Sequence, residues 1–159
     1  MKLRRIITVI LCFIMLLQVP VIAQAAENPS TGEYITFTTG NERIKSDGSF
    51  TFGVSSEMMS GHFTADGTSI TISSKCKKFN VNDGSSVSTK SYEYTLTLYK
   101  MGSGTAVGSY TGYANNTSAS KTFKVTKDAE YYFTITCSPE LSFPERLSGS
   151  GKVTNATPV

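Results

Sequence analysis

Tryptophan is absent from the 159 residues, histidine occurs once and cysteine three times. Those shortages exclude chemistry. One histidine and two cysteines expected to be tied to each other cannot supply a zinc set. The lone histidine stands in Ser60-Gly61-His62-Phe63. It can be drawn beside Asp66 and one of many serines, but no G-x-S-x-G elbow presents a nucleophile, so a surface position in a strand or turn is expected. Charged residues make up only 17% of the chain. After the N-terminal segment there is neither a long apolar run nor a stretch with helical periodicity.

The first residues read as an export signal. Met1-Lys2-Leu3-Arg4-Arg5 is a basic head, Ile6 to Leu17 is uncharged and apolar, and Ala23-Gln24-Ala25 has the small-x-small form that signal peptidases cut after. Cleavage is expected after Ala25 or Ala26. The alternative is an uncleaved anchor, but the apolar run is short of the ~20 residues a spanning helix needs. Cys12 lies inside that run and not at its end, which argues against a lipoprotein. No sorting motif or apolar tail closes the chain, so release to the extracellular medium is expected, with no membrane association after cleavage. The head and cut site look bacterial.

Trimming changes the charge. Three of the 15 Lys and Arg leave with residues 1–26 and none of the 12 Asp and Glu does, so twelve of each sign remain and the formal net charge is zero. No long-range positive field of the kind nucleic-acid binders use follows from this composition, and no nucleic-acid partner is expected. Lys75, Lys77 and Lys78 form a small basic cluster that reads as a solvated strand end.

Cys76 and Cys137 survive cleavage. An even pair in an exported chain predicts a disulfide, closing a loop of roughly 60 residues worth about 4 kcal/mol by chain entropy. Two separate buried thiols are the alternative.

What the sequence has in quantity is alternation. In Ser91 to Lys100, Tyr92, Tyr94, Leu96 and Leu98 fall on one face and Glu93, Thr95, Thr97 and Tyr99 on the other. That period of two is what a half-buried strand requires. Tyr131 to Cys137 repeats it, with the cysteine on the apolar face. Shorter runs at Tyr34–Thr39, Ser49–Val54, Ser69–Ser73, Lys77–Asn82, around Val107 and at Phe123–Val125 carry the same signature. Asp47-Gly48, Asp66-Gly67 and Asp83-Gly84 separate several of them and predict hairpins in an antiparallel meander. Pro139 and Pro144 argue against regular pairing between them. The Gly- and Ser-rich end, Leu147 to Val153, reads as an edge strand or a frayed tail.

The resulting expectation is an all-β chain. It has a signal over 1–26, a mobile lead-in over 27–32, one antiparallel β-sandwich or jelly-roll-like domain of nine or ten short strands over 33–155, and a tail over 156–159. The order of Phe50-Thr51-Phe52-Gly53-Val54, then Tyr94 to Lys100 with a Gly turn and Val107, then Phe123-Lys124-Val125 before Ala129-Glu130-Tyr131-Tyr132-Phe133-Thr134-Ile135 resembles the bacterial pre-peptidase C-terminal domain. That family implies a jelly-roll-like sandwich serving as an accessory module of exported enzymes. The chain departs from it in lacking an Asp-rich approach to the central strand and in having Asp128-Ala129-Glu130 where a Gly is common.

No cofactor is expected. Asn80 to Ser85 is rich in oxygen, but it misses the EF-hand spacing and its closing Glu, and as a turn it needs no ion. The twelve acids show no pairing that marks a glycosidase. Tyr99, Tyr110, Tyr113 and Tyr132 are expected to face solvent, where flat rings with hydroxyls suit a glycan, cell-wall or protein ligand at low entropy cost. The competing reading makes them cross-strand pairs that hold the sheet. Non-enzymatic binding is the function expected. The alternative is a small secreted effector, a bacteriocin-like toxin or protease inhibitor, acting through the Pro139–Pro144 loop.

Overall fold

The computed structural model describes residues 44–159; the predicted signal, the lead-in and the strand at 34–39 lie outside them. Eleven strands and no helix make up the described residues. They form two antiparallel sheets. In the first, β1 (Ser49–Val54) pairs with β10 (Glu145–Thr154), and β10 pairs with the twelve-residue β4 (Ser69–Asn80). The other edge of β4 takes β8 (Ala119–Lys124) along its first half and β5 (Ser86–Val87) near its end. In the second sheet the order is β11 (Ala156–Pro158), β3 (Phe63–Ala65), β9 (Glu130–Ser138), β6 (Glu93–Lys100) and β7 (Ala106–Tyr113), with β2 (Glu57–Met59) also on β9. The all-β sandwich read from the alternation is the architecture observed.

The two predicted spine strands are direct neighbours. They run from Glu93↔Ser138 to Lys100↔Tyr131, so Tyr94, Leu96 and Leu98 lie beside Cys137, Ile135 and Phe133. All six are buried, and they meet Phe50, Phe52, Val54, Ile70, Ile72 and Leu147 of the first sheet. Apolar burial on this scale is the main stabilising term.

Several local expectations are corrected. Lys77–Asn82 is not a separate strand, because β4 runs unbroken from Ser69 to Asn80. Asp66-Gly67 does not turn a hairpin; it carries the chain from β3 in one sheet to β4 in the other. Asp83-Gly84 joins β4 to its neighbour β5, and Asp47-Gly48 turns the chain back so that Ile44 and Phe50 form an antiparallel bridge. Alternation tells which side chains are buried but not which sheet buries them. Ala156–Pro158, expected as a tail, is β11 on β3.

The largest correction concerns the Gly-rich end, which is an interior strand between β1 and β4. Phe50 lies directly opposite Gly151 and Phe52 opposite Gly149. A Cβ on Gly151 would stand 2.2 Å from Phe50 Cζ and 2.4 Å from the Ser73 carbonyl oxygen. On Gly149 it would stand 2.3 Å from the Lys75 carbonyl oxygen and 2.6 Å from Phe52 Cζ. Between the buried Leu147 and Val153, the inward positions Gly149 and Gly151 of β10 are thus empty because the rings of β1 fill them, the device known as aromatic rescue of a strand glycine. Tyr94 and Gly112 pair in the same way in the second sheet.

Candidate binding face

The outward side of the second sheet is built by the positions that alternate with the core. On β6 these are Glu93, Thr95, Thr97 and Tyr99; on β9, Tyr132, Thr134, Thr136 and Ser138. Register sets them in rows: Thr95 opposite Thr136, Thr97 opposite Thr134, Tyr99 opposite Tyr132. Directly opposed residues come close enough for ring contact. Tyr99 and Tyr132 stack with centroids 5.2 Å apart and planes 12° from parallel. His62, just before β3, adds a third ring 6.2 Å from Tyr132. The three rings form an aromatic corner on an otherwise threonine-rich surface.

Of the four tyrosines expected to face solvent, two therefore come together. Tyr113 is exposed and lies opposite Glu93 at the other end of the face. Six residues along β6 separate that row from Tyr99, roughly 20 Å. Tyr110 does not face solvent. It shares the inward parity of Leu96, its pairing partner, and packs against the core beside Phe123.

Tyr110 instead belongs to a polar bridge between the sheets. The Ser74 hydroxyl of β4 shares hydrogen bonds with the hydroxyls of Tyr94 at 2.8 Å and Tyr110 at 2.7 Å. Tyr94 also donates to the Ser74 carbonyl at 3.1 Å. Burial pushes the Tyr94 phenol up to about 12, against the smaller downward pull of its Ser74 hydrogen bond. The Tyr110 phenol is pushed up for the same reason.

Cys76 and Cys137 are not joined. Both are buried free thiols. Cys76, on β4, directs Sγ to the Tyr113 carbonyl at 3.9 Å; Cys137, on β9, directs its own to the Pro139 carbonyl at 3.3 Å. They belong to opposite sheets. Burial pushes the Cys76 thiol up to about 12, with Cys137 adding to the shift. Cys137 rises to about 11, again chiefly through burial and secondarily through Glu140.

The residues considered for other chemistry are occupied. Asp66 accepts a hydrogen bond from Thr157 at 2.9 Å, and the ring of His62 packs near Tyr132. In the Asn80–Ser85 turn, Asn80 and Asp83 side-chain oxygens accept from the amides of Asn82 and Ser85 at 2.9 and 2.8 Å. Hydrogen bonding by Ser85, through its side chain first and its amide second, holds the Asp83 carboxyl below its usual range. Among the described residues no three His, Cys, Asp or Glu side chains gather as metal ligands. Sequence reasoning missed His62 as part of the aromatic group, because its neighbour Tyr132 is seventy residues away in the chain. No protein-family model matches the chain, and no curated protein shows significant similarity to it.

Proposed function

We propose that the chain is exported and acts outside the cell as a non-enzymatic binding module for a glycan, cell-wall or protein surface. The observation that carries this reading is the Tyr99–Tyr132 stack with His62 at its flank. Rings already packed together lose little side-chain freedom when a ligand covers them, and hydroxyl-bearing rings suit sugars and polypeptides alike. Thr95 and Thr97 on β6 add short, stiff hydroxyl groups. The resemblance to an accessory module of exported enzymes agrees with binding in place of catalysis.

The test is retention on insoluble polysaccharide and on peptidoglycan. The protein is expected in the bound fraction of at least one, and Tyr99→Ala/Tyr132→Ala is expected in the supernatant with its melting temperature little changed. Retention on none, or equal retention of the double variant, contradicts the reading. A second reading, an effector or inhibitor acting through the Pro139–Pro144 loop, draws on Phe143, which is 62% exposed there. Protease inhibition or growth inhibition of neighbouring cells, lost on Phe143→Ala, would favour it.

A further inference from the structure

The two outer faces carry opposite charge. On the second sheet the outward positions include Glu57, Glu93 and Glu130 but no Lys or Arg. On the first sheet they include Lys75 and Lys77 of β4, Lys124 of β8, and Arg146 and Lys152 of β10. The remaining outward positions of β1, β4, β5, β8 and β10 are Ser, Thr, Gly53 and Phe79, and none is Asp or Glu. A chain whose trimmed form is neutral overall thus keeps a field of one sign over one sheet.

The cations there form no ion pair among the described residues. The only ion pair among the described residues joins Lys78 to Glu145 at 2.6 Å, leaving Lys75, Lys77, Lys124, Arg146 and Lys152 outside it. Asp47, in the turn before β1, lies near Lys152 only at the rim. Between the strands is a shallow depression of about 250 Å³, lined by Lys75, Lys77, Phe79, Asn116, Ser148 and Ser150 among others. Ser150 stands opposite Lys75 and Ser148 opposite Lys77, so each lysine has a serine as its cross-strand neighbour. The two lysines are two residues apart on one face, about 7 Å. Arg146 lies with its guanidinium carbon 5.3 Å from the Phe79 ring centroid, and its Nε is shielded without a hydrogen-bond partner.

We infer that the outer face of the first sheet binds an acidic polysaccharide laid along β4 and β10, its anionic groups on Lys75 and Lys77 and its sugar hydroxyls on Ser148 and Ser150. This rests on the extracellular binding role proposed above and adds the ligand's chemical class and a second face. The pattern suits a sugar polymer better than its competitors. A lipid surface would call for protruding apolar side chains, and single-stranded nucleic acid for open aromatic rings. The one ring on this face, Phe79, is partly covered by Arg146.

The test is isothermal titration of polygalacturonate and of dextran sulfate into the protein at 25 and 300 mM NaCl, with neutral dextran as control. Binding to at least one acidic polymer is expected at low salt, weakened about tenfold or more at high salt, with none to dextran. Lys75→Gln/Lys77→Gln is expected to weaken it about five- to tenfold, as two partly exposed charge contacts imply. Lys100→Gln/Lys127→Gln, an equal change of net charge at the end of β6 and in the turn beside β3, is expected to weaken it less than twofold. Equal losses in the two lysine variants, binding to neither acidic polymer, or equal binding to dextran would overturn the inference. So would tighter binding to phosphatidylglycerol vesicles or a thymidine oligonucleotide, or self-association abolished by Lys75→Gln/Lys77→Gln. If Tyr99→Ala/Tyr132→Ala abolishes retention on insoluble polymer while the lysine variants bind as before, this inference fails and the binding role stands. If neither set changes any binding, both fail.

Discussion

Replacing Gly151 by Ala tests the packing of the first sheet directly. The new methyl would sit 2.2 Å from Phe50 Cζ and 2.4 Å from the carbonyl oxygen of Ser73, against contact distances near 3.5 Å. Neither obstacle yields easily. Phe50 is buried against Phe133, with ring centroids 4.9 Å apart, and Ser73 is backbone of a strand paired on both edges. Overpacking of this kind costs typically 1–3 kcal/mol, and two obstacles place this case at the upper end or beyond it. For a domain of this size roughly 3–5 °C of melting temperature is lost per kcal/mol, so a fall of about 10 °C or more is expected. Urea unfolding at constant m-value provides the free energy. Gly67→Ala is the control, since nothing lies within 4 Å of its Cβ site, and it should be neutral within about 0.5 kcal/mol. Phe50→Leu/Gly151→Ala should recover part of the loss, as coupling between neighbours requires, but not all of it while the Ser73 carbonyl remains. A Gly151→Ala protein as stable as the parent would refute the idea that the rings of β1 fill the glycine positions of β10.

Other outcomes follow from the same geometry. Ser74→Ala should cost about 1–3 kcal/mol in urea unfolding, because the buried Tyr110 hydroxyl loses its Ser74 partner; a loss below 0.5 kcal/mol would argue against the inter-sheet bridge. Both thiols should resist a thiol reagent at pH 8 in the native protein and react fully once it is unfolded; prompt native reaction would contradict their burial. Stability should be flat through neutral pH and fall from about pH 9 toward 12. The thiols are held neutral up to about 12 and 11 when folded but ionise near 9.0 when unfolded, so their contribution is complete below the unfolded value and disappears as pH rises through the folded ones. Melting curves that stay level to pH 11 would contradict this. Lys78→Ala should cost less than about 1 kcal/mol, since its pair with Glu145 is partly exposed.

The strands with strict alternation were legible. Tyr94, Leu96 and Leu98, and Tyr131, Phe133, Ile135 and Cys137, occupy the buried positions their period assigns. Strand β10 was not, because two of its inward residues, Gly149 and Gly151 between Leu147 and Val153, are glycines whose apolar volume comes from Phe50 and Phe52 almost a hundred residues earlier. Phe-x-Phe matched by Gly-x-Gly elsewhere in a chain was the available signal. The single disulfide was expected from parity of count and compartment, which say nothing about whether two cysteines face each other within bonding distance. Tyr110 was expected outside on residue type, while its register opposite Leu96 turns it inward. Of the basic face only the cluster at Lys75 and Lys77 was visible, for a related reason: its five cations come from three strands, and only pairing gathers them.

Contact through the outer face of the second sheet is the claim on which the function rests, and amide shift mapping with a soluble peptidoglycan or chitin fragment reads it residue by residue. Perturbations are expected to cluster at Tyr99, Tyr132, His62 and Thr97. A cluster confined to Pro139–Pro144, or to core amides such as Leu96 and Ile135, would contradict it.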